Sequence, residues 1–190
     1  NVGDMVAIDT NAEFTESGFV VSRHLDDKAG VAAVLSAIRA VVTGKVDLPV
    51  TCKFLFTIAE EVGLGAPHIL DEDIAELVAV DNGTFAPGQN TSEYGVTIAM
   101  KDMSGPFDRK LNRHLLDLCV ANGIEHARDV FKFYRSDVAS ALEAGYDTRA
   151  SLICFGLDAS HGHERAHVDS FVAVAELLFA YLQGPMVDQA

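Results

Sequence analysis

Apolar runs alternate with helically spaced apolar residues along this 190-residue chain, and few folds accept that order. Val31, Val34, Leu35, Ile38, Val41 and Val42 fall on one helical face, and Gly44 follows as a stop signal. Residues 50–58 then read as a mostly buried strand. A helix opens over residues 66–70, where Pro67 takes a first-turn position. Strands follow at residues 77–80, 93–100, 130–134 and 150–155, with helices at 107–120, 137–143 and 171–182 closed near Gly123, Gly145 and Gly184. Such alternation predicts an α/β domain built on a largely parallel sheet. Ahead of it, residues 5–8 and 18–21 read as short strands.

Acidic residues gather where these strands run out. Asp26-Asp27 stands before the first helix, Glu60-Glu61 ends the 50–58 run, and Asp81 closes the run at 77–80. Ligands of open α/β sheets bind beyond the carboxyl ends of the strands. One acidic pair before a helix is ordinarily a cap or a first-turn acid that suits the macrodipole. Two pairs and Asp81 at such ends repel one another and require something positive between them, a divalent metal or two. Two zinc ions side by side need a bridging carboxylate and terminal imidazole or carboxylate ligands. A free carboxylate beside them can take a proton from water, so adjacent glutamates suit a division into ligand and general base.

Composition narrows the partners. With 49% hydrophobic and 22% charged residues the chain is globular rather than disordered, and no apolar run approaches the roughly 20 residues of a membrane span. A formal net charge of -14 argues against nucleic acid, which binds clustered Lys and Arg, and it concentrates cations. Cys52, Cys119 and Cys154 lie apart in apolar stretches with no C-x-x-C pair, which predicts buried reduced thiols in a cytoplasmic protein. No G-x-S-x-G segment marks a serine hydrolase elbow.

Ser22-Arg23-His24-Leu25-Asp26-Asp27-Lys28-Ala29-Gly30, Ile58-Ala59-Glu60-Glu61-Val62-Gly63, Val80-Asp81 and Arg165-Ala166-His167 resemble, in order and spacing, the M42 family of dinuclear metallo-aminopeptidases. The resemblance implies a three-layer α/β/α sandwich of the zinc-exopeptidase type that removes N-terminal residues from short peptides. It implies two divalent ions, zinc or cobalt, with Asp26 bridging, Glu61 and Asp81 on separate metals and His167 as a terminal ligand. Glu60 would be the general base and Asp27 would orient the site, with a cis peptide between Asp26 and Asp27. It also implies self-association of like chains. Family members carry an earlier His-x-Asp segment and an inserted β-rich domain. By that pattern residues 1–22 are residual strands of the inserted domain, residues 23–190 are the catalytic domain without its His-x-Asp segment, and one metal site is a ligand short.

Other residues have more than one reading. His161 and His163 donate to a metal at close range, contact substrate near His167, or are polar surface, the commoner fate of histidines in a Gly-containing loop. Arg135 and Asp137 line the cleft, or Asp137 is a plain helix cap. A related dinuclear amidase or deacylase would use the same metals with a different pocket. A noncatalytic binding domain would keep the fold with an incomplete site.

Overall fold

The structure, a computed structural model, describes residues 1–71 and 73–188. Its strands are β1 (Glu13–Phe14), β2 (Phe19–Ser22), β3 (Glu76–Thr84), β4 (Val96–Lys101), β5 (His126–Val130), β6 (Arg149–Leu157) and β7 (Glu164–His167). Its helices are α1 (Leu25–Gly44), α2 (Arg109–Asn122), α3 (Asp137–Glu143) and α4 (Val168–Leu182), with 3₁₀ turns η1 (Glu60–Val62) and η2 (Ala66–His68). The larger sheet has the order β3-β6-β4-β5. Pairs β3–β6 and β4–β5 are parallel and β4–β6 is antiparallel, so the sheet is mostly parallel, as the alternation predicts.

The two-residue period of β6 divides the core. Ile153, Phe155 and Leu157 pack against apolar residues of α1, α2 and α4, whereas Ala150, Leu152 and Cys154 face Phe107, Phe131 and Val138. Both faces are therefore covered, which gives the three layers. Helix α2 starts where the Asp108 carboxylate accepts from Leu111 N at 2.8 Å, and it stops at Gly123 with φ 67°. A smaller sheet, β1-β2-β7, joins the chain's early strands to the start of α4, with Phe19 opposite His167 and Ser22 opposite Glu164.

Four expectations are corrected. Residues 50–58 form no strand, because a strand needs neighbours for its N–H and C=O groups and among the described residues this run has none. Residues 5–8 are likewise unpaired, and Met5, Val6 and Ile8 are exposed. The strand expected at 130–134 lies earlier, in β5. This is an edge strand, and its half-exposed sequence His-Ala-Arg-Asp-Val lacks the apolar signal of a buried one. Only a 3₁₀ turn, η2, forms where a helix was expected at 66–70. Of the three free cysteines, Cys119 and Cys154 are buried and Cys52 is half-buried. No helix among the described residues is long and apolar enough to cross a membrane.

Candidate metal centre

Asp26 belongs to two sets of possible metal donors at once. It meets Glu61 and His161 in one and Asp27 and Asp81 in the other, and the donor atoms within each set lie within 4.8 Å of one another. Local backbone explains how two adjacent acids both reach the centre. After β2 the chain turns through His24 at φ 64°, and Asp26 and Asp27 keep non-helical angles before α1 proper begins. The Asp26–Asp27 peptide is cis. Gly30, one turn on, leaves room for the Asp27 carboxylate, since a Cβ there would collide with Asp27 Oδ1.

Glu164 holds the two halves of this centre together. Its Oε2 accepts from Leu25 N at 2.6 Å and from Asp26 N at 3.2 Å, and its Oε1 accepts from His161 N at 2.9 Å. At 1% exposure it is among the most buried polar groups of the chain. The Asp26 carboxylate in turn accepts from Ser160 Oγ at 3.1 Å and lies 3.3 Å from His161 Nε2, which stands 3.2 Å from Glu61 Oε2. Asp81, in β3, is buried, and its Oδ1 accepts from the backbone and side-chain amides of Asn82 at 2.6 and 3.1 Å.

Crowded, desolvated carboxylates hold their protons. Burial, then Asp81 and Asp26, push the Asp27 carboxyl up to about 10. Burial and then Asp26 raise Asp81 well above the ordinary range. Glu60 is pushed up to about 7 by burial, then by Asp137 and Glu61. Glu61 is raised by burial and then Asp26. Asp27 Oδ1 is buried with no hydrogen-bond partner among the described residues. An oxygen-rich set with one imidazole, a shared carboxylate and an orphaned carboxylate oxygen fits divalent cations, whose charge would favour the ionised forms.

His167 does not join this centre. Its Nε2 donates to Ser17 O at 3.0 Å and its Nδ1 accepts from Asp169 N at 3.2 Å, while its ring packs edge-on to Phe19 and Tyr94. Gly18, at φ 88°, is needed beneath it, since a Cβ there would lie 2.5 Å from Nε2. The imidazole that reaches Asp26 is His161, for which the sequence left metal ligation, substrate contact and plain surface open. His163 is exposed, with Nε2 3.5 Å from Asn11 O, and Arg135 pairs with Glu143 at 2.7 Å, so neither reaches the cluster. Both oxygens of Asp137 are engaged, one by Thr57 Oγ1 at 2.7 Å and one by Ala66 N at 2.9 Å. Asp137 therefore ties Thr57 to Ala66 and, as expected, lines the cleft. Sequence reading missed Glu164 and Ser160; the only hint was a Glu in a short His-rich loop.

A cavity of about 740 Å³ opens from Asp26, Asp27, Glu60, Glu61 and Asp81 and runs between α1, β3 and residues 50–58. Acidic groups that could hold a cation thus line an apolar hollow at the carboxyl end of a mostly parallel sheet, the place where ligands of such sheets bind. The M42 glutamyl aminopeptidase family profile matches residues 1–177, and the chain belongs to that family. It is 43% identical over 186 residues to YhfE of Bacillus subtilis (strain 168), which carries a provisional aminopeptidase name, covering 98% of this chain and 54% of YhfE. Among solved structures it is similar to PhTET1-12s, a dodecamer in its asymmetric unit, with a TM-score of 0.83 and 24% identity over 93% of this chain and 54% of that one. Aminopeptidase APDkam598 from the archaeon Desulfurococcus kamchatkensis gives a TM-score of 0.80 and 20% identity, covering 94% and 52%. The chain thus spans about half the length of these relatives.

Proposed function

We propose that the protein is a metal-dependent aminopeptidase that removes N-terminal residues from short peptides. The observation that carries this reading is the sharing of Asp26 between two donor sets beside a carboxyl group, Glu60, pushed up to about 7. In this reading two divalent ions, zinc or cobalt, would be held by Asp26, Glu61, His161 and Asp81, with Asp26 common to both donor sets. Bound metal would supply Lewis-acid activation of water and of the scissile carbonyl.

The protein's own groups do the rest. Glu60, held on η1 by the Thr57–Asp137–Ala66 link, takes a proton from the attacking water and returns it to the leaving amine. Asp27 backs Asp26 from inside and orients it, because its carboxyl is buried against Gly30. Glu164 fixes Asp26 and His161 relative to one another through backbone N–H groups. The apolar walls of the hollow limit water around the substrate.

Several further assignments belong to the same reading. Residues 1–22 are the edge of an inserted β-rich domain, and residues 23–190 belong to the catalytic domain. The protein acts in the cytoplasm and assembles with copies of itself, a proposal supported by the dodecamer of PhTET1-12s. Metal content by elemental analysis, followed by assay of free aminoacyl anilides against N-acylated ones, tests the function. Turnover of the free substrates with two bound metals is the expected result. Turnover confined to blocked substrates would make it a deacylase instead.

A further inference from the structure

Ser160 and His161, neighbours in the chain, both reach one oxygen of the shared carboxylate. Ser160 Oγ donates to Asp26 Oδ2 at 3.1 Å, and His161 Nε2 lies 3.3 Å from the same atom. Successive side chains of regular backbone point in different directions, so the chain must bend to bring both to one place. It bends through Ala159 at φ 59° and His161 at φ 65°, left-handed conformations that are unfavourable for residues with a Cβ. Backbone bonds hold the loop in that shape. Gly162 N donates to Ala159 O at 2.8 Å, His161 N donates to Glu164 Oε1 at 2.9 Å, and Asp158 and Arg165 exchange N–H···O bonds of 2.9 and 3.1 Å at the stem. A Cβ at Gly162 would crowd Ala159 O at 2.9 Å.

The two neighbours are not equivalent as donors. Where His161 Nε2 gives its lone pair to a cation it carries no proton there and cannot donate to Asp26. Ser160 Oγ keeps its proton in either state. Among the described residues no backbone N–H and no other hydroxyl donates to the Asp26 carboxylate, whereas Asp81 accepts twice from Asn82 and Glu164 accepts from three backbone amides. The Asp26 side chain is only 7% exposed, so water is a poor substitute. We propose that Ser160 is the positioning residue of the shared carboxylate: its hydroxyl keeps Asp26 Oδ2 turned towards Glu61 and His161 in the empty and the loaded protein, and so raises the affinity of that donor set for a divalent cation. The inference rests on the reading that Asp26, Glu61 and His161 hold such a cation. Without the hydroxyl, a lone pair of a nearly buried oxygen goes unsatisfied and the carboxylate is free to rotate out of the set. Outer contacts of this kind are worth about 10–100-fold in metal affinity. Glu164 acts differently, on the backbone of both segments, and leaves the Asp26 carboxylate itself untouched.

Zinc and cobalt(II) affinities of the parent chain, Ser160→Ala and Ser160→Thr, read by competition with a chromophoric chelator, test it without turnover entering the readout. Ser160→Ala should bind about 10–100-fold more weakly, and Ser160→Thr, which keeps the hydroxyl, should recover most of the loss. The visible absorption band of bound cobalt(II) should shift in Ser160→Ala and match the parent's in Ser160→Thr, a change that loss of a merely structural bond would not produce. Parent-like affinity in Ser160→Ala, or a loss that Ser160→Thr does not reduce, overturns the proposal and leaves the metal centre standing. Weaker affinity with an unshifted band also overturns it, since the carboxylate has then not moved. A parent chain that takes up neither cation overturns the inference together with the reading on which it rests.

Discussion

Glu164 accepts the backbone N–H of Asp26 at 3.2 Å across 138 residues of sequence, and through its other oxygen it accepts that of His161. One buried carboxylate thereby sets the distance between the shared acid and the only imidazole that reaches it among the described residues. Charge-assisted bonds of this kind contribute about 1.5–3 kcal/mol each. Glu164→Ala leaves Leu25, Asp26 and His161 N–H groups without their acceptor and should cost roughly 3 kcal/mol by denaturant unfolding. Metal affinity, read by competition with a chromophoric chelator, should fall about 10–100-fold. Unchanged affinity would show that Glu164 serves stability alone.

His161 and His167 make opposite predictions. His161→Ala removes a donor beside Asp26 and Glu61, so metal affinity should drop at least about 10–100-fold with little loss of stability, since its side chain is 71% exposed. His167→Ala removes an edge-on contact with Phe19 and Tyr94 and the bond to Ser17 O, and should cost about 1–3 kcal/mol with metal content intact. Elemental analysis of the two variants separates the roles; loss of metal in His167→Ala would reverse them.

The two adjacent glutamates should separate in the same way. Glu60→Gln keeps shape and removes the proton acceptor, so turnover should fall by about 10²–10⁴-fold with metal retained. Glu61→Gln should lower metal content first, because its oxygen lies 3.2 Å from His161 Nε2 within a donor set. Metal loss in Glu60→Gln would mean that ligand and base are exchanged.

Asp27 gives the metal-free protein a pH-dependent stability. Its carboxyl rises from the usual 3.8 to about 10 on folding, so the folded state keeps a proton that the unfolded state releases. The resulting stability is full below about 3.8 and is lost as pH climbs towards about 10. Thermal unfolding in chelator should therefore fall in temperature across that window, and Asp27→Asn should flatten the slope. Saturating divalent metal should do the same in the parent, since a cation stabilises the ionised form. A parent slope identical to that of Asp27→Asn would remove Asp27 as its source.

Strand-helix order, the two acidic pairs and Asp81 were readable in the chain, because a two-residue or 3.6-residue period and a charge at a strand end are local properties. The layers, the mostly parallel sheet and the meeting of Asp26, Asp27, Glu61 and Asp81 follow from them. Other features were decided between segments. His161 and His167 lie six residues apart in similar surroundings, and only the pairing of β2 with β7 turns one ring under Gly18 while Glu164 turns the other loop towards Asp26. Residues 50–58 carry every local sign of a strand and form none, because a strand exists only through the hydrogen bonds of a neighbour. Sequence determined which residues could hold a cation; tertiary structure decided which imidazole stands among them, because donor distance depends on contacts more than a hundred residues apart.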